Sequence, residues 1–186
     1  MRLIVALGLV LSLAGCALLP SPPSPTVLHD LGALPEERVA LPWQLEVQVV
    51  APPWLDDGQV YYRRHGATRL AAYRDHRWAA PPSELLARRL QDRLAPATPD
   101  APGRWLGIEL VSFEQHFVED GAEARVAARV LVRERRGGDL LASRDFALRV
   151  PAASADVDGG VAALAAALDR LAVAVIDWLA AVAAEP

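Results

Sequence analysis

Lysine is absent from these 186 residues, and cysteine occurs once, as Cys16. A single thiol cannot close an internal disulfide, so the chain is not a disulfide-stapled scaffold. No uninterrupted apolar run reaches the ~20 residues a membrane-spanning helix needs. No G-x-S-x-G elbow, H-E-x-x-H pair or phosphate loop occurs, so no familiar catalytic motif marks an enzyme. All 19 basic residues are arginine and face 23 acids, a net charge of −4. A net acidic chain is ill suited to non-specific nucleic-acid binding. What is present is apolar content, 53% hydrophobic against 23% charged. That balance excludes disorder, and the length suits one domain with a real core.

The apolar content is unevenly spread, and its first block is an address. Arg2 precedes an apolar stretch, Leu3–Leu13, broken only by Gly8 and Ser12. It is too short to span a bilayer and has the layout of an export signal. Leu13-Ala14-Gly15-Cys16 follows where a small-x-small cleavage site would otherwise stand, and it resembles the bacterial lipobox. In that chemistry the cysteine thiol takes a diacylglyceryl group, cleavage frees its amine, and the amine is acylated. Several acyl chains on one residue make a durable anchor, whereas one is marginal. Cys16 is thus the expected lipidation site. Ala17, rather than Asp, comes next, and the resemblance then implies sorting to the outer membrane. Cleavage removes Arg2 and takes the net charge from −4 to −5. Prolines 20, 22, 23 and 25 make Ala17–Pro25 an extended spacer, reaching roughly 28 Å at ~3.1 Å per residue. The expected organisation is a signal over 1–15, lipidated cysteine and tether over 16–25, and one domain over 26–186.

Periodicity orders the domain. Thr26–Leu31 reads as a short strand, and Gln44–Ala51 as a second, with Leu45, Val47 and Val49 on one face. Gln59–His65 and Arg69–Arg77 flank a turn at Gly66-Ala67-Thr68 as a hairpin. Pro81-Pro82-Ser83-Glu84 starts a helix, with Ser83 as its expected cap, and Leu86, Leu90 and Leu94 recur along it. Ala95–Gly103 reads as a loop. Trp105–Val118 places Leu106, Ile108 and Leu110 on one face, then changes phase to Phe113 and Phe117, which predicts a bulge near Ser112. Ala124–Arg133 and Leu140–Val150 continue an antiparallel meander through turns at Asp120-Gly121 and Gly137-Gly138. A long closing helix spans about Ala155–Ala184, with Ser154 as its expected cap. Val161, Leu164, Leu168, Leu171, Val175, Trp178 and Val182 form a heptad-like stripe that suits core packing better than a coiled coil. The fold class is α+β: an antiparallel sheet of five to six strands against two main helices.

A series of short pieces then carries a family resemblance. Ala51-Pro52-Pro53-Trp54-Leu55-Asp56 is followed by Gln59-Val60-Tyr61-Tyr62-Arg63, Leu70-Ala71-Ala72-Tyr73 and His76-Arg77-Trp78-Ala79-Ala80-Pro81. With the lipobox and the helix ending in Asp177-Trp178-Leu179, this series resembles the ABC-type transport auxiliary lipoproteins, the PqiC (YmbA) family. The resemblance covers Thr26 to Leu179. Its departures are the Pro-Pro-Trp form of the turn and the absence of lysine. It implies a periplasm-facing lipoprotein on the outer membrane, working with a mammalian-cell-entry (MCE) protein and an ABC transporter in moving lipids between membranes. It also leaves homo-oligomeric rings open. Two other readings stand beside it: an assembly lipoprotein of another envelope machine, such as lipopolysaccharide export, and a periplasmic carrier with a lipid pocket between sheet and helices.

The residues themselves favour binding over catalysis. His65, His76 and His116 lack metal-like spacing, and no cofactor or metal is expected. Asp56-Asp57 and Glu119-Asp120 fall at turns, where carboxylates cap backbone amides. Charge placement is more informative. Residues 61–93 hold eight arginines against three acids, a net of +5, which leaves the rest of the mature chain at −10. Tyr61, Tyr62, Tyr73 and Trp78 lie within that stretch, and arginine with aromatics is a composition favoured at interfaces. Arg63, Arg64, Tyr73, Arg74, Arg77 and Trp78 are therefore the expected partner contacts, set against the plainer reading of a solvated hairpin face over core aromatics.

Overall fold

The computed structural model describes residues 25–33 and 38–184. The export signal, Cys16 and most of the tether lie outside the described residues. In chain order the elements are β1 (Val27–His29), β2 (Val39–Leu41), β3 (Gln44–Val50), β4 (Gln59–Arg63), β5 (Leu70–Trp78), α1 (Pro82–Arg93), β6 (Leu94–Pro96), β7 (Gly103–Val118), β8 (Gly121–Arg133), β9 (Leu140–Pro151) and α2 (Val157–Ala184).

The long strands form the expected meander. β7 pairs antiparallel with β8 from Trp105↔Arg133 to Val118↔Gly121, and β8 pairs antiparallel with β9. The register slips between Leu110 and Ser112, leaving Val111 out of the ladder, where the change of phase predicts a bulge. That extra residue keeps Leu106, Ile108 and Leu110 and then Phe113 on the buried face. On β8, Val126, Ala128, Val130 and Val132 are buried while Arg125, Arg129 and Arg133 alternate with them on the other face.

The sheet is larger and more mixed than the meander alone. Seven strands lie in the order β1-β5-β4-β7-β8-β9, with β3 also on β7. β3 and β4 both pair parallel to β7, β3 along residues 103–109 and β4 at Gln115 and His116. β1 pairs parallel to the outer side of β5. A second sheet of two three-residue strands, β2 and β6, claims Leu94–Pro96 at the start of the expected loop. These short parallel pairings join segments far apart in sequence, and three residues carry no period to read.

Both helices pack on one face of the sheet. Val161, Leu164, Leu168, Leu171 and Val175 of α2 are buried, so the heptad stripe is a core seam. Each such side chain contributes about 1.5–3 kcal/mol when fully buried. Trp178 meets Phe146 edge-on at 6.1 Å. By length and composition α2 could cross a membrane, at mean hydropathy 1.8, yet 61% of that stretch is buried inside the domain. Its cap is Asp156 rather than Ser154: the Asp156 carboxylate accepts the Gly159 N–H at 2.9 Å, and the Ser154 hydroxyl donates to Asp156 at 2.7 Å. α1 is capped from a distance. Pro81 occupies its N-cap position and has no side-chain donor or acceptor to offer. Ser83 is therefore the donor and not the cap: its N–H and its hydroxyl both bond the carboxylate of Asp56, at 3.0 and 2.6 Å. Leu55, beside it, is 1% exposed. The Trp-Leu-Asp turn thus plugs the core with leucine and starts α1 with aspartate.

Candidate functional site

The hairpin of β4 and β5 brings the six expected contact residues into one region, but the fold divides them by role. Arg63 points across β4 to β7, where its Nε and Nη2 form a bidentate pair with Glu114, both at 3.1 Å. Its Nη1 donates to the Thr68 carbonyl in the hairpin turn. Glu114 is buried and is also bonded by His116 Nε2 at 2.6 Å. Arg63 thereby ties the turn to the sheet. Trp78 is 4% exposed, packs on Phe113 at 5.2 Å, and belongs to the core.

Tyr73 is half-buried and heads a polar relay into α2. Its hydroxyl donates to Gln115 Oε1 at 2.7 Å, and Gln115 Nε2 donates to the Asp156 carbonyl at 2.9 Å. Gln115 is completely buried, and a Cβ on Gly160 would run into its carboxamide, so a side chain there would displace Gln115 from this relay. Burial, then Tyr62 and Asp156, pushes the Tyr73 phenol up to about 12, with Arg64 opposing. Burial also pushes the Tyr61 phenol up to about 12, helped by its hydrogen bond to Asp57. Both tyrosines are therefore neutral donors at any physiological pH.

Three of the six face outward. Arg64 is exposed and sits over the rings of Tyr62 and Phe117, at 5.8 and 5.9 Å. Arg74 is exposed. Arg77 is exposed and straps the preceding turn, its Nη2 donating to the Asp57 carbonyl at 2.7 Å. Among the described residues neither Arg64, Arg74 nor the neighbouring Arg69 lies in an ion pair. The hairpin tip is flanked by the acidic β7–β8 turn, since Arg63 is in register with His116.

The +5 surplus of residues 61–93 shrinks once the chain folds. Arg63 meets Glu114, and Arg89 and Arg93 meet Asp169 of α2, at 3.0 and 4.0 Å, both acids outside the stretch, while Arg88 meets Glu84 within it. Arg89 is 2% exposed and also donates to the carbonyls of Leu31 and Ala33, at 2.7 and 2.8 Å. Sequence reasoning missed this role, although Arg89 stands among Leu85, Leu86 and Leu90 on the buried face of α1. It also passed over His29, whose Nε2 lies 2.9 Å from Nδ1 of His76.

Among the described residues no group of three or more His, Cys, Asp or Glu could hold a metal ion. The layer between sheet and helices is filled by fully buried leucines, among them Leu106, Leu110, Leu164, Leu168 and Leu171. A groove of about 440 Å³ lies instead on the opposite face of the sheet, lined by Val50, Trp105, Gly107 and Leu131 with Arg129 and Arg136 at its rim.

Comparison with known proteins decides the family. The family model for the ABC-type transport auxiliary lipoprotein component matches residues 31–176. The chain belongs to that family. A Xanthomonas campestris crystal structure of the DUF330 family is similar at TM-score 0.66 and 20% identity, over 85% of this chain and 94% of that one. A crystal structure of an uncharacterised protein is similar at TM-score 0.65 and 17% identity, over 84% of this chain and 99% of that one. At such identities these two likenesses concern the fold alone. No curated protein matches the chain.

Proposed function

We propose that this auxiliary lipoprotein is anchored through Cys16 in the outer membrane, faces the periplasm, and serves an MCE-type ABC lipid transport system by binding a partner subunit. The observation that carries the reading is the family match over residues 31–176 placed directly downstream of Leu13-Ala14-Gly15-Cys16. The signal over 1–15 directs export, the thiol of Cys16 takes the lipid, and the proline-rich tether spans the gap. The exposed arginines Arg64 and Arg74, with Arg77 beside them, carry the contact with the MCE subunit. Arg63, Tyr73 and Trp78 hold the hairpin in shape for it. The domain acts by binding and catalyses nothing.

The test uses the full-length lipoprotein in its native membrane. Metabolic palmitate should label the wild type and not Cys16→Ser. Purification after detergent extraction should bring down an MCE protein with its permease and ATPase. An unlabelled wild type overturns the anchor. Recovery of lipopolysaccharide-export components in their place overturns the assignment to MCE transport.

A further inference from the structure

The chain that leads back to Cys16 enters the domain through β1, and β1 is a slender attachment. It has three residues, and Val27 and Leu28 are exposed. It pairs parallel with the last residues of β5, Val27↔His76 to His29↔Trp78. Two further contacts hold it. The Ala79 N–H donates to the His29 carbonyl at 2.7 Å, and the imidazoles of His29 and His76 lie edge to edge, centroids 5.2 Å apart, planes within 8° and facing nitrogens 2.9 Å apart. Beyond β1, Arg89 grips the carbonyls of Leu31 and Ala33.

We propose that the His29–His76 pair is a proton-sensitive clasp that fastens β1, and with it the membrane tether, to the edge of the sheet. Two facing imidazole nitrogens make a hydrogen bond only when one of them carries a proton and the other a lone pair. One added proton on a remote nitrogen leaves that bond intact. A second places N–H against N–H and positive charge against positive charge, and the bond is lost.

The surroundings set the direction of the response. Asp30 on the same segment and Asp158 from α2 favour the charged form of His29, while burial, first, and His76, second, disfavour it. Tyr73 of β5 lies 6.2 Å from His76 and is neutral, and Trp78 lies 6.4 Å from His29. The net effect holds His29 below its ordinary value of 6.5. A released β1 takes up protons that the clasped one refuses. The clasp is therefore at full strength above 6.5 and weakens as pH falls below it. The bonds from Arg89 to the Leu31 and Ala33 carbonyls involve neither imidazole, so opening stops at Leu31. Release of residues 26–30 adds about 16 Å of reach at ~3.3 Å per residue, while the core remains folded.

Hydrogen exchange on the full-length lipoprotein in detergent, at pH 5.5 and 7.5 and corrected for intrinsic rates, tests the clasp. In the wild type, protection of residues 27–29 and Ala79 should fall at the lower pH, by up to about tenfold, the limit one linked proton sets over the pH unit below 6.5, while β8 is unchanged. His76→Gln, and separately His29→Gln, should abolish that pH dependence. Equal protection of the wild type at both pH values overturns the proposal. So does a pH dependence that survives in both variants.

Discussion

Two halves of one basic segment use the same residue in opposite ways. In the helical half, Arg89 is 2% exposed and joins α1, α2 and the segment after β1, with Arg93 beside it on Asp169. In the hairpin half, Arg64 and Arg74 are exposed and lie in none of the ion pairs of the described residues. Both halves raise the formal charge alike. Only the second contributes to a surface field, because a cation neutralised at 3.0 Å within the domain presents little to a partner. A run of arginines in sequence is therefore an upper bound on a binding patch, and the fold decides what remains.

The difference can be broken by substitution, and Arg89 should give the largest effect. Arg89→Ala leaves two carbonyls without their donor and half-exposed Asp169 with Arg93 alone, and each lost charge-assisted bond costs about 1.5–3 kcal/mol. Denaturant unfolding should show the midpoint falling accordingly, with early loss of protection after β1. Arg63→Ala comes next, at about 1–3 kcal/mol, since it removes a bidentate pair whose acid is buried while Arg63 itself keeps some solvent. Asp156→Asn should have a smaller effect, visible in pH dependence. The Gly159 N–H and the Ser154 hydroxyl hold the Asp156 carboxyl below the usual range. Its contribution is present above the ordinary carboxylate pKa and is lost as pH falls through the depressed one. Unfolding midpoints measured through the acid range should thus decline less steeply in the variant. The Arg64→Glu/Arg74→Glu double variant should change stability least, within about 0.5 kcal/mol.

The fold was legible where the chain repeats itself. The alternation of Ala124–Arg133, the change of phase between Leu110 and Phe113, and the stripe from Val161 to Trp178 each state a period and a buried face. The pairings of β1 and of β2 with β6 were not legible, because short parallel strands are chosen by the tertiary frame and leave no local signature. The candidate site was legible in location and not in role. Tyr73, Arg63 and Trp78 sit in the basic aromatic stretch just as Arg64 does, yet their partners Gln115, Glu114 and Phe113 all come from β7, dozens of residues away. Asp56 was legible as a capping carboxylate at a turn, but the helix it caps begins 26 residues later in the chain.

The central claim is that the exposed half of the basic segment carries partner binding in a lipid-anchored auxiliary protein. Its most direct test is quantitative co-purification from detergent-extracted membranes, comparing wild type with Arg64→Glu/Arg74→Glu at matched expression and matched unfolding midpoint. The double variant should retain its palmitate label and lose most of the MCE protein and ABC subunits recovered with the wild type. Undiminished recovery with the stable, lipidated double variant would contradict it.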